Sequence, residues 1–346
     1  MSYKYYSATK ERNTLQKHVP APYIRKSFNV ANKDHKFILD ISVVGIYELY
    51  VNGKNISKGC LLPYRTNPNH IVYVDTYELN KYLVEGENVI GVMLGNGFSN
   101  SVFPGWDFDK LSWAHSPKIA LEVKEDNTVI FDISSFKCHD SEVIFDDFHS
   151  GEHIDKNKEI KGWDKPSFND SNWNKMIEVE SPKGELRKHP GFYPTIYETV
   201  KPVKVIKGKG CYLYDFGMSF SGQYDLKIKG ERNKTVKLFV SDAINEDKTI
   251  FVKMRAPARK ILALCRAFSA KLFFAFFRER VEKTSAVCYN TVRSFEIPAG
   301  AGRKRRPRCT IPRSKNAYLP SKIFPVSGSV RRPLLCPSFP RWGTRR

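Results

Sequence analysis

A loop rich in aromatic and acidic residues offers the clearest chemistry in the chain. Residues 98–113 carry two tryptophans, Trp106 and Trp113, and two carboxylates, Asp107 and Asp109. Aromatic faces stack on the C–H faces of sugar rings, and carboxylates accept hydrogen bonds from paired hydroxyls. The loop is therefore a candidate carbohydrate subsite. The alternative, which the sequence favours, is that both tryptophans fasten a long loop to its own domain or to a neighbouring one.

A second cluster, residues 146–155, holds His149 and His153 at a spacing of four. Two histidines at this spacing share one face of a helix and can bind zinc. Gly151 and its strand-like neighbours argue against a helix, so a hydrogen-bonded surface loop is the preferred interpretation. The seven cysteines form no CxxC pair and no zinc-ligand pattern. The sequence predicts no metal site and no cofactor.

The net charge of +21 is concentrated after residue 252. Residues 253–346 hold 23 Lys or Arg against three acidic residues, and Arg replaces Lys as the main basic residue there. This Arg- and Pro-rich tail is predicted to be disordered or poorly packed, because like charges repel and prolines interrupt regular elements. The abrupt change in composition suggests an aberrant segment, as from an altered reading frame or a fusion.

Within that tail, residues 303–308 form a dense basic cluster that could neutralise phosphates. Aromatic residues for base stacking are absent beside the cluster, and no nucleic-acid-binding motif surrounds it. We therefore expect only non-specific nucleic-acid binding through the tail.

The sequence also predicts a cytoplasmic protein without membrane association. The first 20 residues lack the apolar core of a signal peptide. The longest apolar stretch, residues 261–277, is interrupted by Arg266 and Lys271 and is shorter than the roughly 20 residues that span a bilayer. An odd number of cysteines without a disulfide framework fits a reducing compartment.

The elements that must position these clusters are strands, because apolar and polar residues alternate through most of residues 1–252. In residues 36–44, Phe37 and Leu39 lie on one predicted face, together with Ile41 and Val43. Further strands are predicted at 24–30, 71–77, 88–94, 118–123, 128–133, 175–179, 200–206 and 211–215. Many short strands separated by turns are typical of sandwiches and barrels.

Local turn signals add two hairpins and one helical turn. Asn52-Gly53 tolerates positive φ at both central positions of a type I′ turn, so residues 47–51 should return through 54–57. Residues 222–229 and 236–240 alternate on both sides of a turn and are predicted to pair. Asn80 is predicted to cap a short helical turn that runs to Leu83.

Seven ordered motifs give the chain a resemblance to the N-terminal part of bacterial alpha-L-rhamnosidases. They are IYELYVNGK at 46–54, TYEL at 76–79, VEGENVIGVMLGNG at 84–97, GE at 151–152, GWD at 162–164, FNDSNW at 168–173 and YDFG at 214–217. The resemblance covers about residues 25–250. It implies a galactose-binding-like β-sandwich and then the start of a concanavalin-like β-domain. We therefore expect four parts: an N-terminal arm (1–22), the sandwich (23–185), the start of the second β-domain (186–252) and the tail (253–346).

The resemblance also implies an activity that this chain is expected not to perform alone. The family hydrolyses terminal alpha-L-rhamnosides with inversion, through two carboxyl groups on an (α/α)6 barrel that follows the β-domains. Twelve helices with their connections need on the order of 180 residues, so residues 253–346 cannot contain that barrel. The chain is therefore interpreted as a non-catalytic β-domain portion of such a hydrolase, with no catalytic residue assigned. The expected ligand is a rhamnose-containing glycoside, bound weakly. A stand-alone carbohydrate-binding protein is the alternative, and a nucleic-acid binder is the third possibility.

Overall fold

The computed structural model describes residues 3–14, 16–102, 114–148, 151–207, 211–218, 223–226, 235–241 and 328–333. Over these ranges the protein is built of strands, and the helices are single 3-10 turns at Asn80–Tyr82, Phe98–Asn100, Ile133–Ser135 and Lys156–Lys158. Two sheets enclose one apolar core. The predicted all-β sandwich is confirmed.

The first sheet has the strand order β14-β1-β8-β3-β6-β15, and β9 also pairs with β8. Its strands are β1 Tyr5–Ser7, β3 Phe37–Val44, β6 Ile71–Glu78, β8 Lys118–Glu125, β9 Thr128–Asp132, β14 Ile177–Val179 and β15 Glu185–Lys188. All pairings are antiparallel except that of β15 with β6, which is parallel. The pairing of β15 with β6 therefore joins Glu185–Lys188, at the predicted domain boundary of residue 185, to the sandwich.

The second sheet has the order β13-β10-β2-β7-β4-β5. Its strands are β2 Pro22–Val30, β4 Ile46–Val51, β5 Lys54–Asn55, β7 Gly86–Gly95, β10 Lys137–Asp140 and β13 Asn174–Lys175. A separate antiparallel hairpin, β11 Val143–Asp147 with β12 Gly151–Ile154, lies between β10 and β13 in the chain. This hairpin carries the second predicted cluster.

The core forms where the inward faces of the two sheets meet. The predicted inward residues of β3 are all buried in it, which confirms the alternation. They pack with apolar residues of β4, β7 and β8: Leu49, Val51, Ile90, Val92, Leu94, Leu121 and Val123. Removal of this apolar surface from water is the main force that holds the sheets together.

The opposite face of β3, which carries the polar residues Asp40 and Ser42, is also covered. Ser42 is 1% exposed, and its hydroxyl lies 2.7 Å from the hydroxyl of Tyr5. Asp40 accepts hydrogen bonds of 2.6 Å each from Thr76 Oγ1 and Lys124 Nζ. Residues of the predicted N-terminal arm thus form β1 and cover this face, an arrangement that spacing within β3 cannot reveal.

The turn after β4 confirms the type I′ prediction, since Asn52 and Gly53 have φ of 51° and 81°. The predicted cap at Asn80 is wrong. Its side chain makes no capping hydrogen bond and instead accepts one from the backbone N–H of Phe37 at 2.9 Å. It also donates to the backbone oxygens of Lys33 and His35, at 3.1 and 2.6 Å. The helical turn therefore serves to tie down the loop before β3.

Arg25, on β2, holds residues 163–170, which form no strand, against the second sheet. Its buried guanidinium donates from Nε to Trp163 O at 2.8 Å and from Nη2 to Lys165 O at 3.2 Å. Nη1 donates to Phe168 O at 3.4 Å and to the carboxylate of Asp170. One buried cation therefore fixes both the GWD and the FNDSNW motifs.

Trp163 packs into a smaller apolar cluster on the outer face of the same sheet. Its ring stacks on Tyr23 with centroids 4.2 Å apart and meets Tyr50 edge-on at 5.4 Å. A Cβ atom at Gly91 would lie 2.7 Å from the Trp163 ring. Glycine at position 91 is therefore required by the close approach of the indole to β7.

Beyond the sandwich the described strands are β16 Ile196–Val200, β17 Lys204–Lys207, β18 Tyr212–Asp215, β19 Gln223–Leu226 and β20 Gly328–Pro333. β17 pairs with β18, and β20 lies between β16 and β19. The predicted pairing of residues 222–229 with 236–240 is wrong, because 236–240 form no strand and β19 pairs with β20. An alternating pattern defines a strand face without choosing the partner. The rest of the tail, including residues 303–308, lies outside the described residues.

Candidate functional site

The predicted aromatic loop is described only at its two ends. Trp106, Asp107, Asp109 and Trp113 lie within residues 103–113, outside the described residues. What the structure places is the base of the loop, which leaves the second sheet at the end of β7. The contacts of this base fix the two ends of the loop to the sandwich.

Asp147, on β11, anchors the first end of the loop. Its Oδ2 accepts hydrogen bonds from Ser101 Oγ at 2.5 Å and from the backbone N–H of Val102 at 2.8 Å. The segment that follows the loop is tied to the 3-10 turn that precedes it where His115 N donates to Ser99 O at 2.8 Å. The carboxylate is 1% exposed, so its hydrogen bonds are protected from competing water.

Asp146 and three asparagines form a fully buried polar network beneath this anchor. The carboxylate of Asp146 accepts from the backbone N–H of Asn96 at 2.6 Å and from the Asn96 side-chain amide. Asn100 donates to Asn96, and Asn100 Oδ1 accepts from the backbone N–H of Asn13 at 2.7 Å. Burial raises the pKa of Asp146 to about 7, against the opposing effect of the Asn96 donors. The network joins the N-terminal segment, β7 and β11 at the loop base.

The two clusters identified in the sequence therefore lie next to each other. The β11–β12 hairpin, called the acidic hairpin for its Asp146 and Asp147, anchors the described end of the aromatic loop through Ser101 and Val102. Sequence reasoning missed Asn13, Asn96 and Asn100. The signal available was weak, since Asn96 stands in the GNG run that ends the longest family motif. A buried asparagine is identified only by its partners, which lie far apart in the chain.

Arg65 closes the loop base on its other side. Its guanidinium lies 5.1 Å from the ring centroid of Phe98 and 4.4 Å from that of Phe148, and the two rings stack at 4.8 Å. Burial lowers the pKa of Arg65. Cation–π contact with two rings offsets part of the cost of removing the charge from water.

The histidine pair of the second cluster is not arranged as a helical metal motif. His153 lies on β12, where its ring contacts Phe145 at 5.1 Å and His18 at 6.2 Å, and burial lowers its pKa. His149 lies outside the described residues. Within the described part of the chain, no group of three or more His, Cys, Asp or Glu side chains is placed to hold a metal ion.

A second candidate site is an open cleft of about 420 Å³ beside β6. Tyrosines 77, 82 and 193 line it together with His189 and three lysines: Lys58, Lys81 and Lys188. The TYEL motif at 76–79 supplies three of its lining residues, although nothing in the sequence indicated a cleft there. Its walls come from the β4–β5 region, β6 and the segment after β15.

A buried carboxylate, Asp75, fixes the wall of this cleft. It is fully buried, and it accepts from the hydroxyls of Tyr47 at 2.6 Å and Tyr193 at 3.0 Å. His189 stacks on Tyr193 with centroids 4.3 Å apart, and its Nδ1 accepts from the backbone N–H of Gly191 at 3.0 Å. Burial lowers the pKa of His189, so the ring is neutral with its proton on Nε2. The segment after β15 is thereby held rigidly against β6.

No helix in the described ranges is long and apolar enough to cross a bilayer. The three cysteines that the structure describes, Cys60, Cys138 and Cys211, are free thiols. Burial raises the pKa of Cys138 to about 11, so this thiol stays protonated and unreactive.

Comparison with known proteins gives matches to alpha-L-rhamnosidases over the N-terminal part of the chain. Residues 34–195 match the family model of the alpha-L-rhamnosidase N-terminal domain. The chain is 25% identical over 236 residues to an alpha-L-rhamnosidase of Formosa agariphila, a match that covers 65% of this chain and 24% of that protein. An alpha-L-rhamnosidase of Streptomyces avermitilis is 25% identical over 245 residues, covering 67% of this chain and 23% of that protein. The chain thus spans about a quarter of the length of these relatives.

Solved structures agree with this match. The alpha-L-rhamnosidase from Dictyoglumus thermophilum superimposes with a TM-score of 0.61 at 30% identity, covering 72% of this chain and 29% of that one. The Streptomyces avermitilis alpha-L-rhamnosidase complexed with L-rhamnose gives 0.62 at 22% identity, covering 68% and 23%. The second likeness shows a shared fold.

Proposed function

We propose that this chain, whose residues 34–195 match the model of the alpha-L-rhamnosidase N-terminal domain, supplies a non-catalytic β-domain portion of an alpha-L-rhamnosidase-like glycoside hydrolase. The family match, extended by the structural likeness to the Dictyoglumus enzyme, carries this proposal. The reaction that the complete architecture would serve is inverting hydrolysis of terminal alpha-L-rhamnosides.

The carboxylates at the described loop base support a structural role rather than a catalytic one. An inverting pair requires an acid and a base on opposite sides of the glycosidic bond, about 6.5 to 9.5 Å apart, with room for a water molecule. Asp146 and Asp147 are adjacent, at most 1% exposed, and accept hydrogen bonds from Asn96, Ser101 and Val102. Neither carboxylate can reach a bound glycoside.

We expect the purified chain to leave an aryl alpha-L-rhamnoside unhydrolysed above a buffer blank, because an acid–base pair is required and the buried carboxylates are occupied. Release of the aryl alcohol, followed over hours at high protein concentration, measures this. A full-length member of the family serves as the positive control. Turnover that disappears on substitution of an Asp or Glu within residues 1–252 would contradict the proposal.

Weak rhamnose binding by the aromatic loop is the second part of the proposal. The buried Asn–Asp network and the Arg65 contacts hold the loop base firmly, which favours a loop that presents side chains to a ligand. Trp106 and Trp113 would supply stacking faces, while Asp107 and Asp109 would accept from vicinal hydroxyls. A stand-alone carbohydrate-binding protein is the rival interpretation, and it predicts the same loop chemistry without any partner catalytic module.

Titration with L-rhamnose should change the tryptophan fluorescence with a dissociation constant on the order of millimolar, near −4 kcal/mol. Trp106→Ala should abolish the response and leave the thermal midpoint within a few degrees. Phe192→Ala, which truncates a ring 65% exposed outside the loop, is the matched control and should keep the response. If the parent shows no response and Trp106→Ala lowers the midpoint sharply, the loop is a packing device.

A further inference from the structure

The lining of the cleft beside β6 carries more positive than negative charge. Lys58, Lys81 and Lys188 line it, and no carboxylate of the described residues forms an ion pair with any of their ammonium groups. The single acidic residue in the lining is Glu78. Exposed lysines usually point apart into water, so three ammonium groups without a carboxylate partner among the described residues form a local positive potential around one concavity.

Lys58 is held in place more firmly than an ordinary surface lysine. Its Nζ donates to the backbone oxygen of Thr76 and lies 4.8 Å from the ring centroid of Tyr77 and 5.5 Å from that of Tyr193. An ammonium group has three N–H donors, and one of them is used here. Two donors therefore remain on a charge whose position is already fixed, which lowers the entropy cost of binding an anion.

The aromatic residues give the cleft apolar faces next to these charges. Tyr82 and Tyr193 are half-buried, and Tyr193 is fixed by its hydrogen bond to Asp75 and its stacking on His189. His189 covers one face of Tyr193, and the Lys54 and Lys81 ammonium groups lie 5.1 and 4.9 Å from the ring centroid of Tyr82. A sugar ring would pack its C–H groups against the part of these two rings that remains accessible. A volume of about 420 Å³ lies within the usual range for small-molecule sites and admits one or two sugar rings.

We infer that this cleft binds a saccharide that carries a carboxylate, such as a uronic acid residue. Lys58 together with Lys81 or Lys188 would bind the carboxylate, Tyr82 and Tyr193 would contact the ring, and Glu78 would accept from a ring hydroxyl. This site is separate from the proposed rhamnose site in the aromatic loop, since none of its lining residues belongs to that loop. It adds an acidic sugar to the ligands of the sandwich.

Calorimetric titration of the full chain tests this with three probes: methyl β-D-glucuronide, methyl β-D-glucoside and inorganic phosphate. We expect millimolar affinity for the glucuronide, at least about tenfold weaker binding of the neutral glucoside, and loss of glucuronide affinity as salt is raised from 0.05 to 0.5 M. Equal affinity for the glucoside would overturn the role of the lysines. Equal affinity for phosphate would overturn the saccharide and leave a simple anion site.

Substitutions inside and outside the cleft test whether the glucuronide binds there. Lys81→Gln combined with Lys188→Gln should weaken glucuronide binding about tenfold or more, while Lys158→Gln, an exposed lysine outside the lining, should leave it unchanged. All three substitutions are at exposed lysines and should preserve the thermal midpoint, so a loss of affinity cannot be caused by unfolding. Trp106→Ala should leave glucuronide binding intact. Unchanged affinity in the double variant would overturn the inference.

Discussion

Replacing Arg25 by methionine is expected to lower the free energy of unfolding of the sandwich by about 3–5 kcal/mol. The change keeps much of the apolar volume and removes every donor of the guanidinium. The backbone oxygens of Trp163, Lys165 and Phe168 lose their partner, and Asp170 loses its buried cation. Urea unfolding followed by near-ultraviolet circular dichroism measures the change, because Trp163 stacks on Tyr23 only while this segment is bound.

The control for this result is Arg187→Met. Arg187 is 52% exposed and pairs with Glu185 on the surface, where water screens the ion pair, so its loss should leave the urea midpoint nearly unchanged. A similar small cost for Arg25→Met would show that the GWD and FNDSNW segments do not depend on the buried cation.

The Arg25 contact also has a pH signature. Burial alone would raise the pKa of Asp170, but the hydrogen bond from Lys137 and the charge of Arg25 hold it below its ordinary value of 3.8. Because the folded-state pKa is depressed, this stabilisation is present above pH 3.8 and is lost as the pH falls through the lower folded-state value. We expect the Arg25→Met variant to lose less free energy of unfolding than the parent protein as the pH falls below 3.8.

Removing the carboxylate of Asp75 is expected to destabilise the protein by about 2–4 kcal/mol. In Asp75→Ala the buried hydroxyls of Tyr47 and Tyr193 lose their acceptor. Asp75→Asn should cost less, because the amide oxygen keeps one of these two hydrogen bonds. Chemical denaturation gives the free energies, and the exposed Asp34→Ala should change them by less than about 0.5 kcal/mol.

The effect of Asp75→Ala should be largest in the segment after β15, which Tyr193 and His189 hold to the sandwich. Hydrogen exchange should become faster at the backbone amide of His189, which donates to Val74 O at 2.9 Å. Unchanged exchange at His189 together with unchanged stability would mean that the tyrosine hydroxyls are satisfied without this carboxylate.

Several features of this fold follow from local sequence, and the physical reason is the same for each. The alternation in β3 specified its core face, because side chains of a strand point to opposite sides in turn. Asn52-Gly53 specified its turn, because few other dipeptides tolerate two positive φ angles. The ordered motifs showed the resemblance to alpha-L-rhamnosidases before any contact was known, because each motif occupies a fixed place along the chain.

Other features depend on residues far apart in the chain. Asp75 binds Tyr193 across 118 positions, and Arg25 binds Asp170 across 145. No local pattern distinguishes these side chains from exposed polar ones. The same limit explains the wrong partner for β19, since a free strand edge accepts any strand with suitable alternation.

The sequence by itself determined the strands of the sandwich, the turn after β4 and the resemblance to alpha-L-rhamnosidases, since all three depend on residue type and short spacing. Only the tertiary structure decided that the acidic hairpin anchors the aromatic loop through Asp147, and that three lysines converge on a tyrosine-lined cleft. The physical reason is that burial and pairing of polar side chains depend on which strands become neighbours. That choice is made by the packing of the whole domain.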